Sequence, residues 1–344
     1  MYPPSTSVKS SNLVRTAEIL AAVLTVGSIL CSATLFYTER TSRKRAVLFS
    51  AWSIVAATEE KRVDAGRSDA LRQLMENRQS LAGIVLNGGI FRNVDLSNND
   101  LSLASLKNVE FMHCRLKNVN LSGASLDGGH FRENCDFRDA KFERTRLHNT
   151  ILADSSLERA QFLGAEGNAL TSFNGAVMRG GVISNAEFGN VMFDNADLTG
   201  LTMVMSRIEK ATFLRATLTG SRFSGVKAAG AQFQRATGER CLFGWGSILD
   251  GAAFDRVAFY LTTFEDSSLR GAHFFGATLN GGRFVSCDLT GADFTSALLT
   301  QTTFDNCIIQ GALFRNAELG SETRFVGCVG TPIDLVEVQG DARR

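Results

Sequence analysis

Proline is nearly missing from this chain: there are three among 344 residues, and tryptophan (two), tyrosine (three) and histidine (four) are almost as scarce. So little proline, set against thirty-two glycines and 44% hydrophobic residues, excludes a disordered or linker-like protein, which would carry more proline and charge and less Leu and Phe. Charge of one sign is missing too. The net charge is +1; residues 1–80 hold eleven Lys/Arg against seven Asp/Glu, and residues 81–344 hold twenty-five against twenty-eight, a balance of −3. That balance excludes both the basic face of a nucleic-acid binder and a strongly acidic decoy surface. The chain also lacks a phosphate-binding glycine loop, a zinc-finger spacing and a nucleotide fingerprint, so no cofactor or metal is expected.

A single rhythm fills the chain instead. From Leu86 to Phe325 every fifth residue is mostly Leu, Phe, Ile or Met, opening Leu86, Phe91, Leu96, Leu101, Leu106, Phe111. A fixed short period over such a length means one small unit stacked on itself. The rhythm slips by one residue at 132–136, 163–168, 244–251 and 320–324, with Phe243 and Ile248 read as the rungs before the third slip. Two residues before each rung stands a small residue, as at Ala104, Ala124, Ala196, Ala272 and Ala292. A five-residue period fits neither an α-helix nor a plain strand, and it points to short turns closing a coil. Phe recurs at every fourth rung (Phe173, Phe193, Phe213, Phe233), which sets a coil of four rungs; about twelve coils at the strand spacing of ~4.8 Å make a column about 55–60 Å long with a filled interior. Ala228 and Gly238 are undersized rungs, expected to loosen the core beneath Trp245.

Before the repeats, Ile19 to Tyr37 runs without a charge and as a helix rises roughly 28 Å, the hydrocarbon thickness of a bilayer. Residues 17–38 are expected to be a transmembrane helix after a disordered 1–16. Arg40, Arg43, Lys44 and Arg45 follow directly and orient the repeat region toward the cytoplasm of a bacterial inner membrane, single-pass, with Trp52 near the headgroups. Cleavage as a signal peptide, giving a secreted or periplasmic β-helix, is the competing reading. Residues 39–80 form a basic juxtamembrane segment and helical cap. A helix at 68–77, capped by Ser68 with Asp69 in its first turn, closes the first open coil. Residues 331–344 hold a final strand, Ile333 to Val338, and a tail.

The repeats Asn195-Ala196-Asp197-Leu198-Thr199, Gly271-Ala272-His273-Phe274-Phe275 and Gly291-Ala292-Asp293-Phe294-Thr295 resemble the pentapeptide-repeat family over about residues 81–330. The resemblance implies an all-β solenoid, a right-handed quadrilateral β-helix, without enzymatic activity. The lead-in, including Trp52-Ser53-Ile54-Val55, Gly66-Arg67 and Ala70-Leu71-Arg72-Gln73-Leu74, is similar to that of membrane-anchored bacterial members.

Candidate chemistry yields to plainer readings. Cys287, Cys307 and Cys328 stack on consecutive coils, as do Cys114 and Cys135, but these and Cys241 occupy the small inward position and read as packed thiols. His113, His130, His148 and His273 face outward with no nucleophile placed to join them. Asp95, Asp100, Asp197, Asp288 and Asp293 read as solubilising residues beside the rungs. The slips are the better places for function, above all 244–251, where exposed Trp245 with Tyr260 and Phe275 is a candidate docking surface for a protein partner. The expectation is a non-enzymatic, membrane-anchored scaffold that binds lipid through its first helix and an unidentified protein through its walls. It is compatible with a homo-oligomer and excludes nucleic acid. The alternative, a DNA mimic that protects a type II topoisomerase, needs a denser acidic surface than this.

Overall fold

The computed structural model describes residues 8–57, 64 and 66–334; within the first helix side chains are described from residue 25 on, residue 27 apart. Helix α1 spans Val8–Ala57 and helix α2 Arg67–Glu76, and the remainder is a stack of coils with short three-residue strands between Ile90 and Val326. Pairing fixes the coil. Phe91 pairs in parallel with Phe111 and that residue with Phe131; Asp95 bridges Arg115, Asp100 bridges Asn120 and Ser105 bridges Ser125. Four consecutive rungs therefore each stack on the rung one coil above, which gives a coil of four sides and about twelve coils. The first side is here the one carrying Phe91, the second Leu96, the third Leu101 and the fourth Leu106.

The hydrogen bonds of each side run both ways between coils, so the backbone is satisfied without a wide sheet. Leu96 N–H donates to the Arg115 carbonyl at 2.7 Å, and Arg115 N–H donates to that of Val94 at 2.9 Å. Corners between sides need a left-handed residue, and Asn93 (φ 54°) and Asn98 (φ 60°) show why Asn recurs there. The small inward residues named above are buried, Cys328 apart. Where that residue is Thr, its hydroxyl bonds a carbonyl of the preceding coil, as Thr150 does to Leu126 at 2.9 Å and Thr302 to Leu279 at 2.9 Å, save at Thr262, which bonds Tyr260 of its own coil. Pairing makes a buried hydroxyl tolerable there, although those of Ser155 and Ser221 hold the same position without a hydrogen-bond partner.

Two columns of rings fill the interior. On the first side Phe233, Phe254 and Phe274 stack at 4.8 and 4.9 Å; on the third Phe243, Phe264 and Phe284 stack at 4.9 and 4.8 Å. The columns meet edge to face, Phe254 against Phe264 at 5.6 Å and 86°. Such pairs are favourable beyond their buried area, and no lumen is left between them.

Several expectations are corrected. The third slip falls earlier than the sequence suggests: Leu249 is the buried rung and Ile248 lies outside, because the extra residue enters between Phe243 and Ile248. The second lies at 167–171, between the bridges Arg146 to Glu166 and Ile151 to Ser172, where Gly167 takes a rung position. Gly238 does not loosen the core, since a Cβ there would sit 2.4 Å from the Cys241 Sγ that already fills the space. Helix α1 begins at Val8, so residues 8–16 are helical and not disordered, elongation being cheap once a helix is nucleated. Ser68 is not the cap of α2: it lies inside the helix, and Asp64 Oδ1 accepts its N–H at 3.0 Å.

Among the described residues no helix is long and apolar enough to cross a membrane. The expected span 17–38 lies partly outside the described residues, its side chains being described only from residue 25 and without residue 27. Residues 1–7 and 335–344 lie outside as well, and of the expected last strand Ile333 bridges Leu313.

The cap is held to α1 by one buried cation. Arg67 is fully buried, and its guanidinium donates to the Val55 carbonyl on α1 and the Asn87 carbonyl of the first coil, both at 3.3 Å. Ala51 and Val55 of α1 and Ala70, Leu71 and Leu74 of α2 are buried around it. Arg67→Met is expected to lower the protection of α2 against hydrogen exchange by about 2–3 kcal/mol while the coils beyond Phe131 keep theirs, since coils feel only their neighbours.

Candidate protein-docking surface

With the interior filled, contact falls to sides and corners. Trp245 is the most exposed apolar side chain of the coils at 74%, and it holds a left-handed backbone (φ 56°) on the corner between the third and fourth sides. Tyr260 and Phe275 are also exposed, but the register places Tyr260 on the corner between the second and third sides and Phe275 on that between the first and second. The three aromatics occupy three corners and form no single patch.

A neighbour that sequence reading passed over does share the corner of Trp245. Met205, 66% exposed with φ 48°, stands two coils below, with Gly225 between them. Met205 Cγ lies 3.7 Å and the Trp245 carbonyl 3.5 Å from where a Gly225 Cβ would be, both ordinary contact distances, so the two residues flank the coil of Gly225 on either side. An apolar side chain forced into the left-handed region costs about 1 kcal/mol or more, and exposure adds no compensating burial. The signal in the sequence was the two-coil interval between Met205 and Trp245, which a list of aromatics does not display.

The basic residues after the apolar run are exposed along α1. Arg43 pairs with Glu39, and Arg40, Arg43 and Lys44 line a cavity of about 490 Å³ with Phe36, Val47 and Asn77. Arg45 is exposed beside them, and Trp52 is 37% exposed.

The cysteines are packed as the repeat predicts. Cys114, Cys135, Cys241, Cys287 and Cys307 are buried and Cys328 is half-buried, none in a disulfide. Burial pushes the Cys241 thiol up to about 11, and the hydrogen-bonded neighbour Cys287, together with burial, pushes Cys307 up to about 12. A thiol held protonated and covered is a poor nucleophile. Burial sets the order of reaction: at pH 8 Cys328, the one coil thiol that is not buried, is expected to react first with an aromatic disulfide reagent, and slowly because Cys307 and burial push its thiol up, while the other five react only on unfolding; fast labelling of Cys241 would contradict the packing.

His113 pairs with Glu133 at 2.7 Å and His148 with Asp127 at 3.9 Å, whereas among the described residues His130 and His273 form no ion pair and no His, Cys, Asp or Glu group is arranged to hold a metal. Carboxylates differ by setting. Asp136 is held below the usual range by the hydrogen bonds of Arg138, against the opposing effect of burial. Asp255 is pushed up by burial and by Asp293, with His273 opposing. A carboxyl whose folded value is raised stabilises the fold at low pH, and that contribution is lost as pH rises through the folded value. Asp255→Asn is accordingly expected to raise Tm at pH 7, by an amount that solvent screening keeps under about 1 kcal/mol, and to give no gain below the ordinary Asp range; an equal gain at both pH values would contradict this.

Residues 86–165 match the model of the pentapeptide repeat region, and residues 267–306 and 283–320 match pentapeptide repeats in eight copies. Within those stretches the stacked coils are similar to pentapeptide repeats. Similar solved structures include HetL, a pentapeptide repeat protein involved in heterocyst differentiation regulation from the cyanobacterium Nostoc sp. strain PCC 7120, with 20% identity over 72% of this chain and 95% of that one at a TM-score of 0.38. QnrB1, a plasmid-mediated fluoroquinolone resistance protein, aligns at 17% identity over 68% and 94% with a TM-score of 0.20. PfbA, a surface adhesin of Streptococcus pneumoniae, aligns at 7% identity over 81% and 90% with a TM-score of 0.28. No curated protein matches the chain.

Proposed function

We propose that this chain is a non-enzymatic interaction module: a rigid pentapeptide-repeat rod, tethered through α1 to a bacterial inner membrane and turned to the cytoplasm, whose corners dock a protein partner. The observation that carries the reading is the edge-to-face contact of the two phenylalanine columns, which leaves no interior cleft for chemistry and puts all recognition on the outside. The tether is supported by the uncharged run Ile19 to Tyr37, by the exposure of Val26, Ile29, Leu30, Leu35, Phe36 and Tyr37, and by the basic cluster that follows. Rigid coupling through Arg67 supports a rod held at a fixed distance from the membrane surface.

Proximity labelling from the membrane-bound protein tests the reading. Cytoplasmic neighbours are expected, and they should be lost when Met205 and Trp245 are both replaced by Gly, a change that relieves left-handed strain and leaves Tm unchanged or higher. Exclusively periplasmic neighbours would overturn the orientation, and a neighbour set indifferent to every corner variant would overturn the docking role.

A further inference from the structure

Many arginines in the coils are clamps. Arg115, Arg146, Arg159, Arg179, Arg207 and Arg270 each pair with a carboxylate on an adjacent coil. Arg215, Arg235 and Arg256 depart from this pattern. All three are exposed, none forms an ion pair among the described residues, and they stand at the same corner position on three consecutive coils, between the first and second sides. Each holds a left-handed backbone, with φ of 57°, 60° and 54°. Their corner is fixed from beneath: Arg215, Arg235 and Arg256 follow by two residues the rungs Phe213, Phe233 and Phe254, whose rings stack at 4.6 and 4.8 Å.

Like charges stacked coil on coil repel, and a left-handed backbone adds strain, so nothing in the fold itself accounts for the column. Beside it runs a second column of Leu214, Gln234, Asp255 and exposed Phe275. Between the columns and the preceding coil lies an open groove of about 510 Å³ lined by Asn195, Arg215, Gln232, Gln234 and Arg235 among others. The buried Oε1 of Gln234 has no hydrogen-bond partner there. At the N-terminal end the carboxylate Asp194 is already occupied by the Leu214 N–H at 2.9 Å. Above the column Arg256 leans over Gly276, its Cγ 3.6 Å from where a Cβ would be, next to Phe275.

We propose that this corner binds an acidic α-helix of a protein partner, laid along the rod axis with one carboxylate per coil. The proposal rests on the reading of the chain as an interaction module and names the chemistry of its partner. Spacing selects the occupant. The arginines rise by the coil interval, 4.6 to 4.8 Å. A helix offers same-face residues about every 5.4 Å. An extended strand offers them about every 6.7 Å, and one strand of duplex DNA offers phosphates about every 3.4 Å. Over two intervals the helix is out of step by roughly 1.4 Å, which flexible arginines absorb, and the strand by roughly 4 Å. Phe275, at the C-terminal end, supplies an aromatic surface for the apolar flank of such a helix.

Full-length protein in phosphatidylcholine nanodiscs, titrated with fluorescent peptides and read by anisotropy, tests this. The probe is an alanine-based helical peptide with Glu at i, i+4, i+7 and i+11, and its control is an isomer with the same glutamates spread around the helix. The striped peptide is expected to bind, and the isomer to bind roughly tenfold more weakly. R215Q/R235Q/R256Q should weaken the striped peptide by roughly tenfold or more with Tm unchanged or raised, while R222Q/R283Q, at unpaired arginines of the third side, should not weaken it. Absence of saturable binding, equal affinity for the isomer, an equal loss in R222Q/R283Q, or tighter binding of a duplex oligonucleotide would each overturn the proposal. Those results leave the module reading standing, because that reading is judged by the neighbours captured in the cell.

Discussion

Phe254→Ala is expected to cost about 3–5 kcal/mol and to open the rod in its middle. The ring is fully buried, stacked on Phe233 at 4.8 Å and Phe274 at 4.9 Å, and met edge-on by Phe243 at 5.7 Å and Phe264 at 5.6 Å. Removing it leaves a cavity that the coils cannot close, because each backbone is bonded to the coils on both sides, Phe254 N–H donating to His273 and Ala253 N–H to Ala231. Phe254→Leu is expected to cost under about 1.5 kcal/mol, since Leu152 already occupies a rung of the same column, buried as fully. Denaturant unfolding gives the magnitudes and hydrogen exchange the place: lost protection should centre on Phe233 to Phe274 and fade within a coil or two. Loss spread evenly from Phe91 to Phe325 would mean a globally cooperative core and not a chain of neighbouring coils.

The fold was legible because one residue position repeats. A rung every five residues, a small residue two before it and Phe at every fourth rung encode the side, the corner and the coil, and the structure returns the same columns and the same buried alanines. Errors gathered where the rhythm breaks. Near Phe243 both Ile248 and Leu249 are apolar, and only the place of the extra residue decides which turns inward. At Gly238 the sequence showed a missing side chain, but the thiol that fills its space comes from Cys241, three residues on. For α2 the local rule favoured Ser68, whereas the acceptor came from Asp64, before the left-handed Gly66.

The docking surface was less legible, for a physical reason. Outward residues are under no packing constraint, so their meaning lies in which of them share a corner, and that requires the exact register. Trp245, Tyr260 and Phe275 looked like neighbours along the chain but turn to three corners, whereas Met205 with Trp245, and Arg215 with Arg235 and Arg256, come together only once coils are counted.

The central claim is a four-sided coil around a dry aromatic column, and a pair of internal deletions measured by thermal unfolding tests it most directly. Removing residues 266–285 excises one full coil and joins Glu265 to Ser286, so Phe304 comes to stack on Phe264 and Phe314 keeps its place above Phe254's column. This variant is expected to fold with a Tm within a few degrees of the parent. Removing residues 266–280 excises three of four sides, ends both phenylalanine columns against leucine columns, and is expected to cost several kcal/mol, as overpacked and underfilled layers alternate. Near-parental stability after the shorter deletion, with collapse after the longer one, would contradict the four-sided coil.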